Sequence, residues 1–202
     1  MVLLVGMVVS VSAFAATINI PDDAVSIQYG VLMSSNGDTI LVAPGTYNEN
    51  IDFKSKDIVI TSSDGAEVTT ISGSVKITQG ESEEAVLNGF TVLTGPITIQ
   101  NGSAPVISNC IIRDMSVIAI QCDNSSPIIK YNLFHDNGNI SCIGINSGTA
   151  TIVNNTFDNN NRGFYSISGK GTIRNNIVTN SSEYGIHGPF TVLEYNDVWN
   201  ND

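Results

Sequence analysis

Positive charge is scarce in this chain. Eight Lys and Arg stand against 19 Asp and Glu, a formal charge of −11 over 202 residues. A nucleic-acid groove or a docking face for an anionic membrane needs clustered bases, so neither partner is expected. Histidine is limited to two residues and methionine forms no cluster, which argues against a periplasmic metal-delivery role. Cysteine is limited to Cys110, Cys122 and Cys142, at spacings unlike those of a zinc site. An odd count leaves at least one thiol free or intermolecular. No bridge is assigned, and buried free thiols are expected. Helical periodicity is missing from residues 39–202, and the connections there are too short for crossover helices. A doubly wound sheet is thereby excluded.

What the chain does have is a repeated phrase. Val106–Ile112, Ile128–Phe134, Thr151–Phe157, Thr172–Val178 and Val192–Val198 follow one another at offsets of 22, 23, 21 and 20. Each joins a short β-branched run to an Asn and then to further apolar residues. A period near twenty of this kind marks a solenoid of stacked β-coils. One such strand cannot bury its apolar side alone; parallel neighbours about 4.8 Å above and below can. Asn132, Asn155, Asn176 and Asn196 share one column, begun by Cys110. Asn109, Tyr131, Asn154, Asn175 and Tyr195 precede them. Asn tolerates left-handed backbone and suits a sharp corner. Stacked amides can also bond along the axis. A second strand per coil is expected at Ala119-Ile120, Gly144-Ile145, Gly163-Phe164 and Gly185-Ile186.

The ends differ from the repeats. Residues 1–15 are almost wholly apolar and close on Ala13-Phe14-Ala15, which reads as a secretory signal without its basic flank. The segment is short for a membrane span, so the mature chain is expected to be secreted, with no transmembrane segment. Asp22 and Asp23 precede Ala24, Ile27 and Val31, and the stretch stops at Asn36-Gly37. This predicts a short amphipathic helix with an acidic N-terminus, capping the open solenoid end. The expected layout is a signal at 1–15, a cap at 16–38 and the solenoid at 39–202, continuing beyond 202. The last coil starts at Thr191, so further coils or a partner are expected to cover its apolar end.

The phrase from Gly37 to Ile51 carries Gly-Asp-Thr-Ile, Pro-Gly-Thr-Tyr and Glu-Asn-Ile. Ser26-Ile27-Gln28 precedes it and Asn88-Gly89-Phe90-Thr91-Val92 follows. This combination resembles the N-terminal coils of the pectin-lyase-like superfamily. The resemblance covers about residues 22–202. It implies an all-β fold, a single-stranded right-handed parallel β-helix of about eight coils with a short N-terminal capping helix. It also implies a secreted protein that binds or processes polysaccharide, with a polysaccharide lyase or glycoside hydrolase as the enzymatic form. Gly45-Thr46-Tyr47-Asn48-Glu49 is similar to the Gly-x-Tyr-x-Glu segment of pectin methylesterases. The Gln-Asp and Gly-Arg-Pro-Trp elements of those esterases are missing, as is the Trp-x-Asp-His element of the lyases. A non-catalytic adhesin-type solenoid and a periplasmic accessory protein therefore stay open.

Extending the register gives one outward column of Arg113, His135, Asp158, Thr179 and Trp199 and another of Asp114, Asp136, Asn159, Asn180 and Asn200. Asp114 and Asp136 then sit on adjacent rungs, about 5 Å apart. Carboxylates that close could share a proton, cleave a glycoside or bind Ca²⁺. Asp114, Asp136 and His135 are the candidate catalytic residues, and Asp158 a candidate Ca²⁺ ligand. Tyr131, Tyr195 and Trp199 are candidates for stacking on sugar rings.

Overall fold

The computed structural model describes residues 14–138 and 141–201. Most of the expected signal lies outside the described residues. The rest is a right-handed parallel β-solenoid of about eight turns with one short helix near its N-terminus. Parallel register stacks three inward columns. On the first face Ile40, Ile60, Leu87, Ile107, Ile129, Ile152 and Ile173 follow one another. On the second face the column runs Ile71, Val92, Ile112, Phe134, Phe157 and Val178. On the third it runs Val75, Ile97, Ile120, Ile143, Phe164 and Ile186. Strands Ile128–Lys130, Leu133–His135 and Thr156–Asp158 each bury their central residue and leave the flanking ones part-exposed, as strand alternation requires. Phe134 and Phe157 stack within the core, ring centroids 4.4 Å apart and planes 4° from parallel.

Cys142-Ile143, and not Gly144-Ile145, is level with Ala119-Ile120, while Gly163-Phe164 and Gly185-Ile186 pair with them as expected. The slip is two residues, so the same side stays inward. The three cysteines are free and buried. Burial pushes the Cys110 thiol up to about 11 and Cys122 to about 12, and raises Cys142 too, so none supplies a thiolate at neutral pH.

Each regular corner has two steps. At the first, Asn109, Tyr131, Asn154, Asn175 and Tyr195 take φ of 52, 59, 57, 56 and 55°. These left-handed residues turn the chain. The next residue points inward and builds an amide ladder. Asn155 Oδ1 accepts the Asn132 backbone N–H at 2.9 Å and its Nδ2 at 3.0 Å; the Asn155 Nδ2 donates to Asn176 Oδ1 at 3.0 Å and Ile129 O at 2.9 Å. Turning and laddering, expected of one Asn column, fall to two adjacent residues, and Tyr can serve for the first. The second corner repeats the scheme. Asp114, Asp136, Asn159, Asn180 and Asn200 take φ of 57, 56, 52, 56 and 54°. Behind them Asn137 donates its backbone N–H and Nδ2 to Asn160 Oδ1 at 3.1 and 3.0 Å.

Nearer the N-terminus the second corner is built differently. Strands Thr69–Ile77 and Thr91–Gln100 run through it; Thr94 keeps the left-handed step, with φ of 69°, but Gly95 and no inward amide follows it. They bend where coils touch backbone to backbone. A Cβ on Gly73 would lie 2.1 Å from Glu49 O, and one on Gly95 2.5 Å from Ser74 N, so only glycine fits.

Strand Thr17–Ile20 pairs with Thr39–Val42, so the first face starts ahead of the helix. The helix, Ile27–Met33, buries Ile27, Gly30 and Val31, with Gly30 against Ile20 and Ile40. Ser26 caps it, its Oγ accepting the Tyr29 N–H at 3.1 Å. The acid at its N-terminus is neither Asp22 nor Asp23; Asp23 accepts instead from Asn19, backbone and side chain. Glu49 fills the role from the following coil, taking the Ile27 and Gln28 N–H groups at 2.9 and 2.8 Å. At the other end Lys56 Nζ donates to Val31 O at 2.6 Å, Leu32 O at 3.1 Å and Ser34 O at 2.6 Å. The helix dipole is thus met at both termini by charges some twenty residues away. Among the described residues no helix is long and apolar enough to cross a membrane.

Candidate functional site

The outward column read from the sequence is present: Arg113, His135, Asp158, Thr179 and Trp199 are successive strand partners on the second face. Asp114 and Asp136 stand one residue further, on the left-handed corner. Each carboxylate turns to its own neighbour. Arg113 Nη1 donates to Asp114 Oδ2, and His135 Nδ1 lies 2.8 Å from Asp136 Oδ2. Asp136 Oδ1 also accepts the Asn159 amide at 2.5 Å. The His135 contact, then the Asn159 bond, hold the Asp136 carboxyl below the ordinary carboxylate range. Asp158 Oδ1 accepts Thr179 Oγ1 at 2.9 Å and Asn180 Nδ2 at 2.6 Å. Among the described residues no three His, Cys, Asp or Glu side chains gather as metal ligands would. A Ca²⁺ ion at Asp158 would thus rely on carbonyl and amide oxygens for most of its shell.

The three candidate stacking residues are exposed but not together. Tyr131 and Tyr195 occupy the same corner column with Asn154 and Asn175 between them, three coils and roughly 14 Å apart. Trp199 shares the coil of Tyr195, on the second face.

A different cluster forms on the third face. Arg162 is the strand partner of Tyr184, and Tyr165 of His187. The Tyr165 and His187 rings stack at 5.6 Å with 16° between planes. Tyr184 lies 5.0 Å from His187 and 6.3 Å from Tyr165. The Arg162 guanidinium sits 5.1 Å from the Tyr184 ring centre and pairs through Nε with Glu183. His187 follows the inward Ile186 and faces out. Carrying the matched pairs Gly163-Phe164 and Gly185-Ile186 one position further would have set Tyr165 beside it.

This cluster adjoins a shallow groove at the second corner, of about 370 Å³, lined by Asp136, Asn137, Gly138, Asn159, Asn160, Asn161 and Ser182. That is at the small end of ligand clefts, which run from about 300 to 1,000 Å³. The amides of Asn137 and Asn160 are spent on the ladder and on Ile112 O and Phe134 O. The polar groups that face a ligand are therefore Asp136 and Asn159 on one side and Asn161 and Ser182 on the other, the latter two bonded at 3.1 Å. Arg162 and Glu183 directly follow them in the chain, so groove and aromatic cluster are one continuous surface.

Comparison with known proteins bears on the scaffold. The family described as right handed beta helix region matches residues 23–194. No curated protein matches the chain. Among solved structures the chain is similar to the pectin methylesterase from Aspergillus niger, in a penultimately deglycosylated form. The two are 15% identical with a TM-score of 0.47, over 96% of this chain and 86% of that one. With its three parallel inward columns and a family match across most of its length, the chain belongs to the right-handed β-helix family.

Proposed function

We propose that this chain is a secreted polysaccharide-binding β-helix, and that its contact surface is the second-corner groove together with the third-face cluster. One observation carries the reading: Tyr165, Tyr184 and His187 converge on adjacent outward rungs beside a groove edged with amide and hydroxyl groups. Aromatic faces stack on the apolar faces of sugar rings while neighbouring polar groups take the hydroxyls. Strands hold the aromatic set and the laddered corner beside them holds the polar one, so little freedom is lost on binding. Tyr131, and Tyr195 with Trp199, would extend contact along a long chain.

Binding is favoured over cleavage by the state of the carboxylates. A glycosidase acid must stay protonated near neutral pH, which requires a raised pKa. Asp136 is shifted the other way, and Asp114 is tied to Arg113. Cleavage through Asp114, Asp136 and His135 is the second reading, kept because the pair sits on adjacent corner positions. Affinity electrophoresis against a panel of soluble polysaccharides tests the first. Retardation is expected for the native chain and is lost in Tyr165→Ala and Tyr184→Ala, with the β-sheet circular dichroism unchanged. Retardation that survives both changes would place the contact surface elsewhere. Release of reducing or unsaturated ends, abolished by Asp136→Asn, would establish the second reading.

A further inference from the structure

Resting on that reading, we infer that this surface selects neutral polysaccharides and discriminates against uronate polymers. The argument begins with the bases. The chain has three arginines, and each is paired with an acid: Arg113 with Asp114, Arg162 with Glu183 and Arg174 with Glu194. The guanidinium nearest the aromatic cluster is Arg162. It is engaged twice, by the Glu183 carboxylate and by the Tyr184 ring. Glu183 holds the Nε edge of Arg162, so a uronate carboxylate that met the Nη groups would sit beside that anion. Bidentate recognition of a sugar acid through the Nε edge is closed off, and recognition through the Nη groups is opposed by the neighbouring carboxylate.

The opposite edge of the groove adds more negative charge. Asp136 keeps its carboxylate ionised and presents it beside Asn159. Asp158, one rung along from His135, accepts only from a hydroxyl and an amide among the described residues. Beyond Lys76, four coils from Tyr165, the third-face column holds Thr98, Gln121, Gly144, Tyr165 and His187 in successive coils. None of these is Asp, Glu, Lys or Arg. At Gly144 the Ile118 side chain comes within 3.1 Å of where a Cβ would lie. The surface therefore offers stacking area and neutral donors and acceptors, framed by anions. Such a frame repels a polyanion over a Debye length of about 10 Å at moderate salt. It has little effect on an uncharged glycan.

The test is a binding panel at neutral pH with a chelator present, comparing neutral β-glucan, mannan and galactan with polygalacturonate and alginate. Retention of at least one neutral polymer, insensitive to added salt and at least tenfold stronger than on either uronate, is expected. Glu183→Gln releases Arg162 and should raise uronate binding several-fold; no rise would overturn the charge argument. Tighter binding of a uronate by the native chain would overturn the selectivity and leave polysaccharide binding standing. Binding to no polymer would overturn both.

Discussion

The coils before about residue 100 and those after it solve one packing problem in two ways. The later coils are nearly periodic. Both corners use a left-handed residue followed by an inward amide, and Asn132, Asn155 and Asn176 bond from rung to rung. The earlier coils have no such ladder: buried Phe90 fills the column that Asn occupies later, and Cys110, first of the later coils, joins it only through its N–H to Asn132 Oδ1. Their second corner is made by close glycine contacts, and their end is held by the Glu49 and Lys56 clamps on the helix. The difference teaches that a β-solenoid needs its corner carbonyls and N–H groups satisfied, but not by one device. Repetition suits the body of the stack. The termini of the helix, which have no rung partners among the described residues, are met by longer-range charge.

The largest expected effect comes from emptying a core column in the periodic half. Phe157 stacks on Phe134 and lies 4.2 Å from the Phe164 ring, so Phe157→Ala should cost about 3–5 kcal/mol in urea unfolding. A loss below about 1 kcal/mol would mean that the corners, and not the core, hold these coils. Next comes the ladder. Asn155→Ala removes the acceptor for two Asn132 donors and should cost about 2–3 kcal/mol. Asn196, half-buried at the last described rung, should cost about 1 kcal/mol in the same assay. Equal losses would make the ladder a set of local caps instead of a column.

The clamps should matter less because they sit near the surface. Lys56→Met and Glu49→Gln are each expected to lower stability by about 1 kcal/mol. Limited proteolysis should then cut first around residues 24–36 and leave the later coils intact. Asp38 adds a pH handle at the same end. It accepts the Ala16 and Ser35 N–H groups, each at 2.7 Å, and these two bonds, Ala16 first, lower its pKa. A depressed carboxylate contributes fully above its unfolded value, near 4, and the contribution fades as pH falls through the lower folded value. Asp38→Asn should remove that part of the acid-side slope, read from thermal melts between about pH 5 and pH 2. The smallest effect is a gain. Ser181 interrupts the second ladder between Asn160 and Asn201, and its buried hydroxyl has no partner among the described residues. Ser181→Asn should restore a rung and add about 0.5–1 kcal/mol.

Much of this was readable in advance. The offsets in Asn132, Asn155 and Asn176 announced vertical neighbours, and the outward Arg113-to-Trp199 column followed by counting. The expectation for Asp22 and Asp23 failed for a physical reason. A helix N-terminus takes whichever carboxylate reaches it, and Glu49 arrives from the next coil. The aromatic cluster was within reach, since the matched pairs Gly163-Phe164 and Gly185-Ile186 set Tyr165 level with His187; what counting missed on this face was the slip of two residues at Gly144. Coil lengths vary from 20 to 27, so counting along the chain loses its place at each corner.

By itself, then, the sequence determined that this chain stacks in parallel, which residues face inward, and where amides accumulate. Those follow from local alternation and a near-constant period, both properties of neighbouring residues. Tertiary structure alone decided which of two adjacent corner residues turns and which ladders, which acid meets the helix, and how the Arg162 guanidinium is shared between Glu183 and Tyr184. Those outcomes depend on bringing together residues some twenty positions apart, and a shift of one or two at a single corner changes every partner above it.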